Sequence, residues 1–142
     1  MMNKEYLLRT LRKWKFPVLA EEDNWIAFRY QMNLIRVWMQ EGENGGVAVS
    51  LGGLFTADDD TELALAYKVC NDLTGKLMQA KLYLDDDNEL VIASEFFFRT
   101  CEELEYCLEI SCRTLVNAKK QFRIRYQEAE ENQKLLDELN KE

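Results

Sequence analysis

The sequence predicts an α+β fold: a two-layer sandwich in which an antiparallel sheet of about five strands carries its helices on one face. Three observations predict it. Apolar residues at helical three-four spacing open the chain and return in two later segments. Period-two alternation fills the stretches between them. Each alternating stretch sets an apolar face against a mixed one, as antiparallel sheets covered on one side do. The order of elements is then αβββαββα.

Residues 3–14 place Tyr6, Leu7, Leu11 and Trp14 at spacings of three and four, a first helix. Phe16 and Pro17 end it, because the residue before a proline is pushed out of the helical region. Over residues 18–51 the period becomes two. Ile26, Phe28 and Tyr30 alternate with Trp25, Ala27 and Arg29; Ile35, Val37 and Met39 with Leu34, Arg36 and Trp38; Val47, Val49 and Leu51 with Ala48 and Ser50. Breaks fall at residues 22–24, 31–33 and 41–46, where Asn and Gly suit tight turns. Residues 18–21 leave room for a further short strand ahead of these.

Gly52 and Gly53 open a loop that closes on Asp58, Asp59 and Asp60, carboxylates suited to an N-cap and to the positive end of a helix dipole. The helix that follows carries Leu63, Ala66, Cys70 and Leu73 on one stripe, flanked by Tyr67 and Val69, with Gly75 as its expected stop. Residues 77–98 then read as a hairpin. Met78, Ala80, Leu82 and Leu84 share one face of its first arm, and Leu90, Ile92, Ser94, Phe96 and Phe98 one face of its second. Asp85, Asp86, Asp87 and Asn88 supply the turn.

The last helix starts at Thr100, which with Glu103 fits a capping box. Its stripe of Cys101, Leu104, Leu108, Ser111, Leu115, Ala118 and Phe122 holds the three-four spacing. A helix from 100 to 126 spans about 40 Å at the usual rise, against a diameter of about 37 Å for a chain of this size. Residues 1–126 are therefore expected to form the domain and residues 127–142 a charged helical tail. Leu135, Leu136 and Leu139 give that tail an apolar edge, and Glu130 with Lys134 is a helical pair.

Composition narrows the function. A chain of 142 residues buries roughly two-thirds of its surface on folding, so no disulfide or metal is needed to hold it. Cys70, Cys101, Cys107 and Cys112 contain no CxxC pair and the chain has no histidine, which excludes a Cys/His zinc site and suggests reduced thiols in a cytoplasmic protein. The first residues lack the apolar core of a signal peptide, and no run approaches the length of a membrane span. The formal charge of −8 opposes binding to phosphate backbones. The local basic group Lys119, Lys120, Arg123 and Arg125 is expected to be a solvated face or to pair with nearby glutamates. Neither nucleic acid nor membrane is an expected partner.

Residues 63–98, LALAYKVCNDLTGKLMQAKLYLDDDNELVIASEFFF, resemble the YbjN family of bacterial proteins, described as sensory transduction regulators. The matching features are a helix ending in Cys70-Asn71, a strand of the type Ala80-Lys81-Leu82-Tyr83-Leu84, an acidic turn, and an apolar strand ending in Glu95-Phe96-Phe97-Phe98 before the last helix. The resemblance extends over residues 3–126. It implies a fold shared with the chaperones of type III secretion systems, an αβββαββα sandwich that commonly dimerises. It brings no catalytic residues and no cofactor.

Catalysis without histidine would need a carboxylate or lysine base, and no spacing singles out such a pair with a nucleophile. Cys101 is the best lone thiol, since a helix N-terminus lowers a thiol's pKa, but Glu102 and Glu103 act against it. The consecutive aspartates 85–87 lack the alternating ligands and glycine of a calcium loop. No enzyme activity, metal or cofactor is expected. The outward face of the sheet is more informative. If Ile26, Phe28, Ile35, Val37, Leu82 and Phe96 face the helices, then Trp25, Arg29, Leu34, Arg36, Trp38, Tyr83, Val91 and Phe97 face away. Trp, Tyr and Arg are enriched at binding hot spots, and a two-layer fold leaves a second aromatic face in need of its own cover. A homodimer that binds a protein or peptide through this face, or through an edge strand, is the expected function; a regulatory module with output through the last helix is the alternative.

Overall fold

The computed structural model describes residues 2–39 and 46–141. The elements run α1 (Met2–Lys13), β1 (Val18–Glu21), β2 (Trp25–Tyr30), β3 (Asn33–Met39), β4 (Gly46–Leu51), α2 (Asp60–Lys76), β5 (Lys81–Leu84), β6 (Leu90–Phe97) and α3 (Cys101–Asn140). The six strands form one sheet in the order β1-β2-β3-β4-β6-β5, with every neighbouring pair antiparallel. Compared with the expected order, one strand is added. β1 is the short strand for which residues 18–21 left room, and all four of its residues are exposed, so no burial alternation marked it. The turn expected over residues 41–46 lies, but for Gly46, outside the described residues.

One face of the sheet holds the core. Ile26, Phe28, Ile35, Val37, Val49, Leu51, Leu82, Leu90 and Ile92 are buried against Leu7 and Leu11 of α1, Ala66, Val69, Cys70 and Leu73 of α2, and Leu104, Leu108, Cys112, Leu115, Ala118 and Phe122 of α3. α3 crosses β4 and β6, with α2 packed beside it along β5 and α1 against it on its other side. The two-layer architecture follows because each helix has one apolar stripe and the sheet has one face that is apolar throughout. A polar contact enters this core: the hydroxyls of Ser94 on β6 and Ser111 on α3 lie 3.2 Å apart, each satisfying the other.

Local chemistry fixes most boundaries. Proline is not what stops α1. Lys15 takes a left-handed conformation (φ 62°), the Phe16 amide donates to the Leu11 carbonyl and the Lys15 amide to that of Arg12, which is a Schellman ending built without glycine. Phe16 then stacks on Phe28 at 6.1 Å. The β2–β3 hairpin turns through Gln31 and Met32, both with positive φ, as a two-residue turn matched to strand twist requires. Asp59 caps α2 by accepting from the Glu62 amide at 2.8 Å, while Glu62 accepts from the Asp58 amide at 2.7 Å. Thr100 caps α3 in the same way, through the Glu103 amide at 3.1 Å.

Two boundaries differ from the sequence reading, and α3 joins its helical tail without a break. α2 continues one residue beyond Gly75, to Lys76, and its cap Leu77 is extended rather than left-handed. The first arm of the hairpin starts at Lys81 rather than at residue 77: Gln79 has positive φ and Met78 is almost fully exposed, so the period-two pattern runs past the start of the strand. α3 runs unbroken for 40 residues through position 126 to Asn140, about 60 Å at the usual rise and longer than the body it packs on. Leu135, Leu136 and Leu139 are exposed on its distal end.

Candidate functional site

The face of the sheet away from the helices contains all eight residues singled out from the sequence. The register sets Trp25 opposite Trp38, Arg29 opposite Leu34, and Ala27 opposite Arg36 on β2 and β3. On β5 and β6 it sets Tyr83 opposite Val91, while Phe97 of β6 pairs with Gly46 of β4. Because side chains alternate strictly along a strand, these registers put Trp25, Arg29, Leu34, Arg36, Trp38, Tyr83, Val91 and Phe97 on one surface.

That surface is divided. On β2–β3 the rings of Trp25 and Trp38 lie 5.7 Å apart at a tilt of 42°, and the Arg36 guanidinium sits 5.9 Å from the Trp25 ring. These three side chains support one another laterally, an arrangement worth about 1 kcal/mol per aromatic or cation–π contact. Trp38 nevertheless keeps 40% of its surface exposed, with Leu34 similar. On β5–β6, Lys81 pairs with Glu95 at 2.7 Å and stands over the Tyr83 ring at 5.6 Å. The hydrogen bond to Glu95 raises the Lys81 ammonium above the ordinary lysine range. Phe97, at 74% exposed, is the most open aromatic on this face.

Between the two groups runs β4, whose outward residues are Gly46, Ala48 and Ser50, and beside it lies Ala93 of β6. Three strand spacings, about 14 Å, separate the β3 residues from Tyr83. The sequence reading therefore joins residues that form two patches across a low strip of small side chains. An open depression bounded by Trp38, Ala48, Glu95 and Phe97 marks the strip's lower end. The Lys81–Glu95 pair was absent from the sequence reading; its signal was opposite charge at outward positions of consecutive strands.

The groups weighed for other chemistry have structural duties. Asp85 accepts from the amides of Asp87 at 2.9 Å and Glu89 at 3.0 Å, and Asn88 adopts positive φ in the same turn. Among the described residues no three potential metal-ligating side chains converge. Burial pushes the Cys70 thiol up to about 11 and that of Cys112 up to about 12. Cys101 is the first residue of α3 and half-buried, and the Glu103 carboxylate beside it is taken up by the Arg99 guanidinium at 2.8 Å. Among the described residues, no helix is long and apolar enough to cross a membrane.

No protein-family model matches the chain, and no curated protein sequence does. Solved structures match its fold. An uncharacterised protein from Methanothermobacter thermautotrophicus superposes with a TM-score of 0.62 at 15% identity, covering 89% of this chain and 97% of that one. YbjN from E. coli, named as a candidate transcription regulator, superposes with a TM-score of 0.56 at 16% identity, covering 91% of this chain and 92% of its own. The fold is YbjN-like. The heterodimeric ExoU-SpcU complex of the Pseudomonas aeruginosa type III secretion system aligns at 14% identity over 85% of this chain and 94% of that one, with a TM-score of 0.47, a similarity on which nothing further is rested. The likeness to YbjN expected from residues 63–98 thus holds at the level of the fold and extends over most of the chain.

Proposed function

We propose that the protein is a non-catalytic, cytoplasmic binding module, dimeric in solution, that holds protein or peptide segments on the outer sheet face. The observation that carries this reading is the exposure of Trp38, Phe97, Tyr83 and Leu34 around a strip of small residues on the one sheet face that no helix covers. A low strip between two aromatic patches admits an extended chain, and the flanking Trp, Tyr and Arg are the side chains that bury most area for little entropy. The edge strands β1 and β5 offer unpaired backbone groups as a second mode of capture. Reduced thiols at Cys70, Cys101, Cys107 and Cys112 suit a cytoplasmic setting.

Light scattering after size exclusion tests the reading. A dimer is expected, with Trp38→Asp weakening self-association or the capture of extended peptides while the circular dichroism spectrum stays native. A monomer whose peptide binding is indifferent to Trp38→Asp would sink it. A second reading, regulatory output through the end of α3, is favoured by the three leucines exposed on a helix that outruns the body. If it holds, Leu135→Ser with Leu139→Ser abolishes partner binding and Trp38→Asp does not.

A further inference from the structure

The outer sheet face and the distal end of α3 are two apolar surfaces left uncovered within one chain. They are complementary to each other. α3 passes over the end of the sheet that holds the β2–β3 turn, since Lys119 donates to Asn33 Oδ1 at 2.6 Å. It then continues unbroken to Asn140, with Leu135, Leu136 and Leu139 exposed. Because α3 packs on the inner face and runs without a break, it cannot carry those leucines round to the outer face of its own sheet.

The outer face has room for a helix at that same end. The row of outward positions nearest the β2–β3 turn sets Arg29 beside Leu34 on one flank and Val91 beside Tyr83 on the other. The next row runs across the sheet as Ala27, Arg36, Ser50, Ala93 and Lys81. Between Leu34 and Tyr83 the floor is therefore Ser50 and Ala93. The gap is about 14 Å wide, against about 10–12 Å for a helix with its side chains.

Charge selects the occupant. In a chain of net charge −8, the outward positions of β2 to β6 hold three cations, Arg29, Arg36 and Lys81, and one acid, Glu95, which Lys81 already takes up. Residues 128–141 of α3 are the reverse, with five acids and two lysines. Glu131 and Glu138 stand four residues before and three after Leu135, on its own row of the helix surface. Neither they nor Arg29 and Arg36 form an ion pair among the described residues. Two outer faces brought together would set arginine against arginine, and two tails acid against acid. Only the crossed contact, tail on face, pairs opposite charges.

We propose that a second copy of this chain lays its α3 tail on the outer sheet face, with Leu135 and Leu139 over Ser50 and Ala93 and with Glu131 and Glu138 towards Arg29 and Arg36. The contact is reciprocal. Under a two-fold axis each tail covers the other copy's sheet, so the assembly closes at two chains. This rests on the reading of the outer face as the dimer interface and names what lies in it. Trp38 and Phe97, at the opposite end of the strip, stay open to a captured peptide.

Light scattering on two full-length variants, alone and mixed, tests this, with thermal melts to confirm that both stay folded. Arg29→Glu with Arg36→Glu makes the face acidic; Glu131→Arg with Glu138→Arg makes the tail basic. Each variant alone should dimerise about a hundredfold more weakly than the wild type, because both of its contacts become like-charged. In an equal mixture the dimer should return, since the mixed pair has an acidic tail on a basic face and a basic tail on an acidic one. A monomeric wild type, an undiminished dimer in either variant alone, or a mixture that stays monomeric would each overturn the proposal. The reading of the outer face as a binding surface stands or falls separately, by whether peptide capture responds to Trp38→Asp.

Discussion

The two faces of the single sheet have almost the same number of positions and opposite economies of contact. On the helix side, Ile26, Phe28, Ile35, Val37, Val49 and Ile92 are completely buried in the core that the sheet and the three helices form together. On the other side, Trp25, Arg36 and Trp38 find their partners only sideways, along the same sheet. Inward side chains are almost all apolar, most of them branched aliphatics; outward ones are large and aromatic at the two flanks and small on β4. The difference teaches that period-two alternation separates stability from recognition in this chain. Inner positions are constrained by volume, so any change leaves a void or a clash. Outer positions are constrained only by what comes to cover them.

Substitutions that break this division in order of expected effect sharpen it. Phe28→Ala should cost about 3–5 kcal/mol, the range for a fully buried aromatic, seen as a large fall in the urea midpoint. Next comes the polar seam between sheet and helix. Ser111→Ala leaves the buried Ser94 hydroxyl unpaired and should cost about 1–3 kcal/mol; Ser94→Ala in the same background should then cost little or recover part of the loss. If the double variant is as unstable as the sum of the singles, the pair is not coupled. A smaller effect is confined to alkaline solution. Cys70 and Cys112 have folded-state values raised to about 11 and about 12 from the ordinary 9.0. Their contribution is therefore complete below pH 9 and is lost as pH climbs from there through the folded values, because only the unfolded chain releases those protons readily. The Cys70→Ala, Cys112→Ala variant should show a flatter decline of stability above pH 9 than the wild type. Smallest of all is Phe97→Ser on the outer face, expected to shift stability by less than about 0.5 kcal/mol while reducing self-association or peptide capture. A large loss of stability there would mean that the outer face belongs to the fold after all.

Much of this was legible because period two needs no tertiary knowledge. Ile35, Val37 and Met39 alternate with Leu34, Arg36 and Trp38 in sequence, and the burial of β3 alternates with them without exception. The same rule assigned Tyr83, Val91 and Phe97 to the outer face. It failed where backbone geometry overrode it. Met78 sits in phase with Leu82, yet positive φ at Gln79 turns the chain before the strand begins. β1 has no buried face of its own, so only its pairing with β2 reveals it. That α3 runs straight into its helical tail was not legible, because a size rule assumes that a helix stays on its body, whereas side-chain pairs such as Gln127 with Glu131 and Gln133 with Asp137 support a solvated extension. The division of the outer face into two patches depends on β4 and β6 lying between β3 and β5, and no local pattern specifies strand order. The aromatic cluster around Phe55 was equally hidden. Phe122 and Tyr126 stand at i and i+4 of α3, but Phe55 reaches them only through the fold.

The sheet order also governs how the chain finds this structure. β1 to β4 form a continuous meander and β5 to β6 a hairpin, so both can zip up locally. They meet in the β4–β6 ladder, whose nearest partners, Leu51 and Ile92, are separated by about 40 residues of chain. Closing that loop loses entropy before any ladder bond repays it, and contacts of such separation slow folding. The β4–β6 seam is thus the expected kinetic bottleneck. In stopped-flow refolding, Val49→Ala on the seam should slow the folding limb, while Ile26→Val within the meander should act mainly on unfolding.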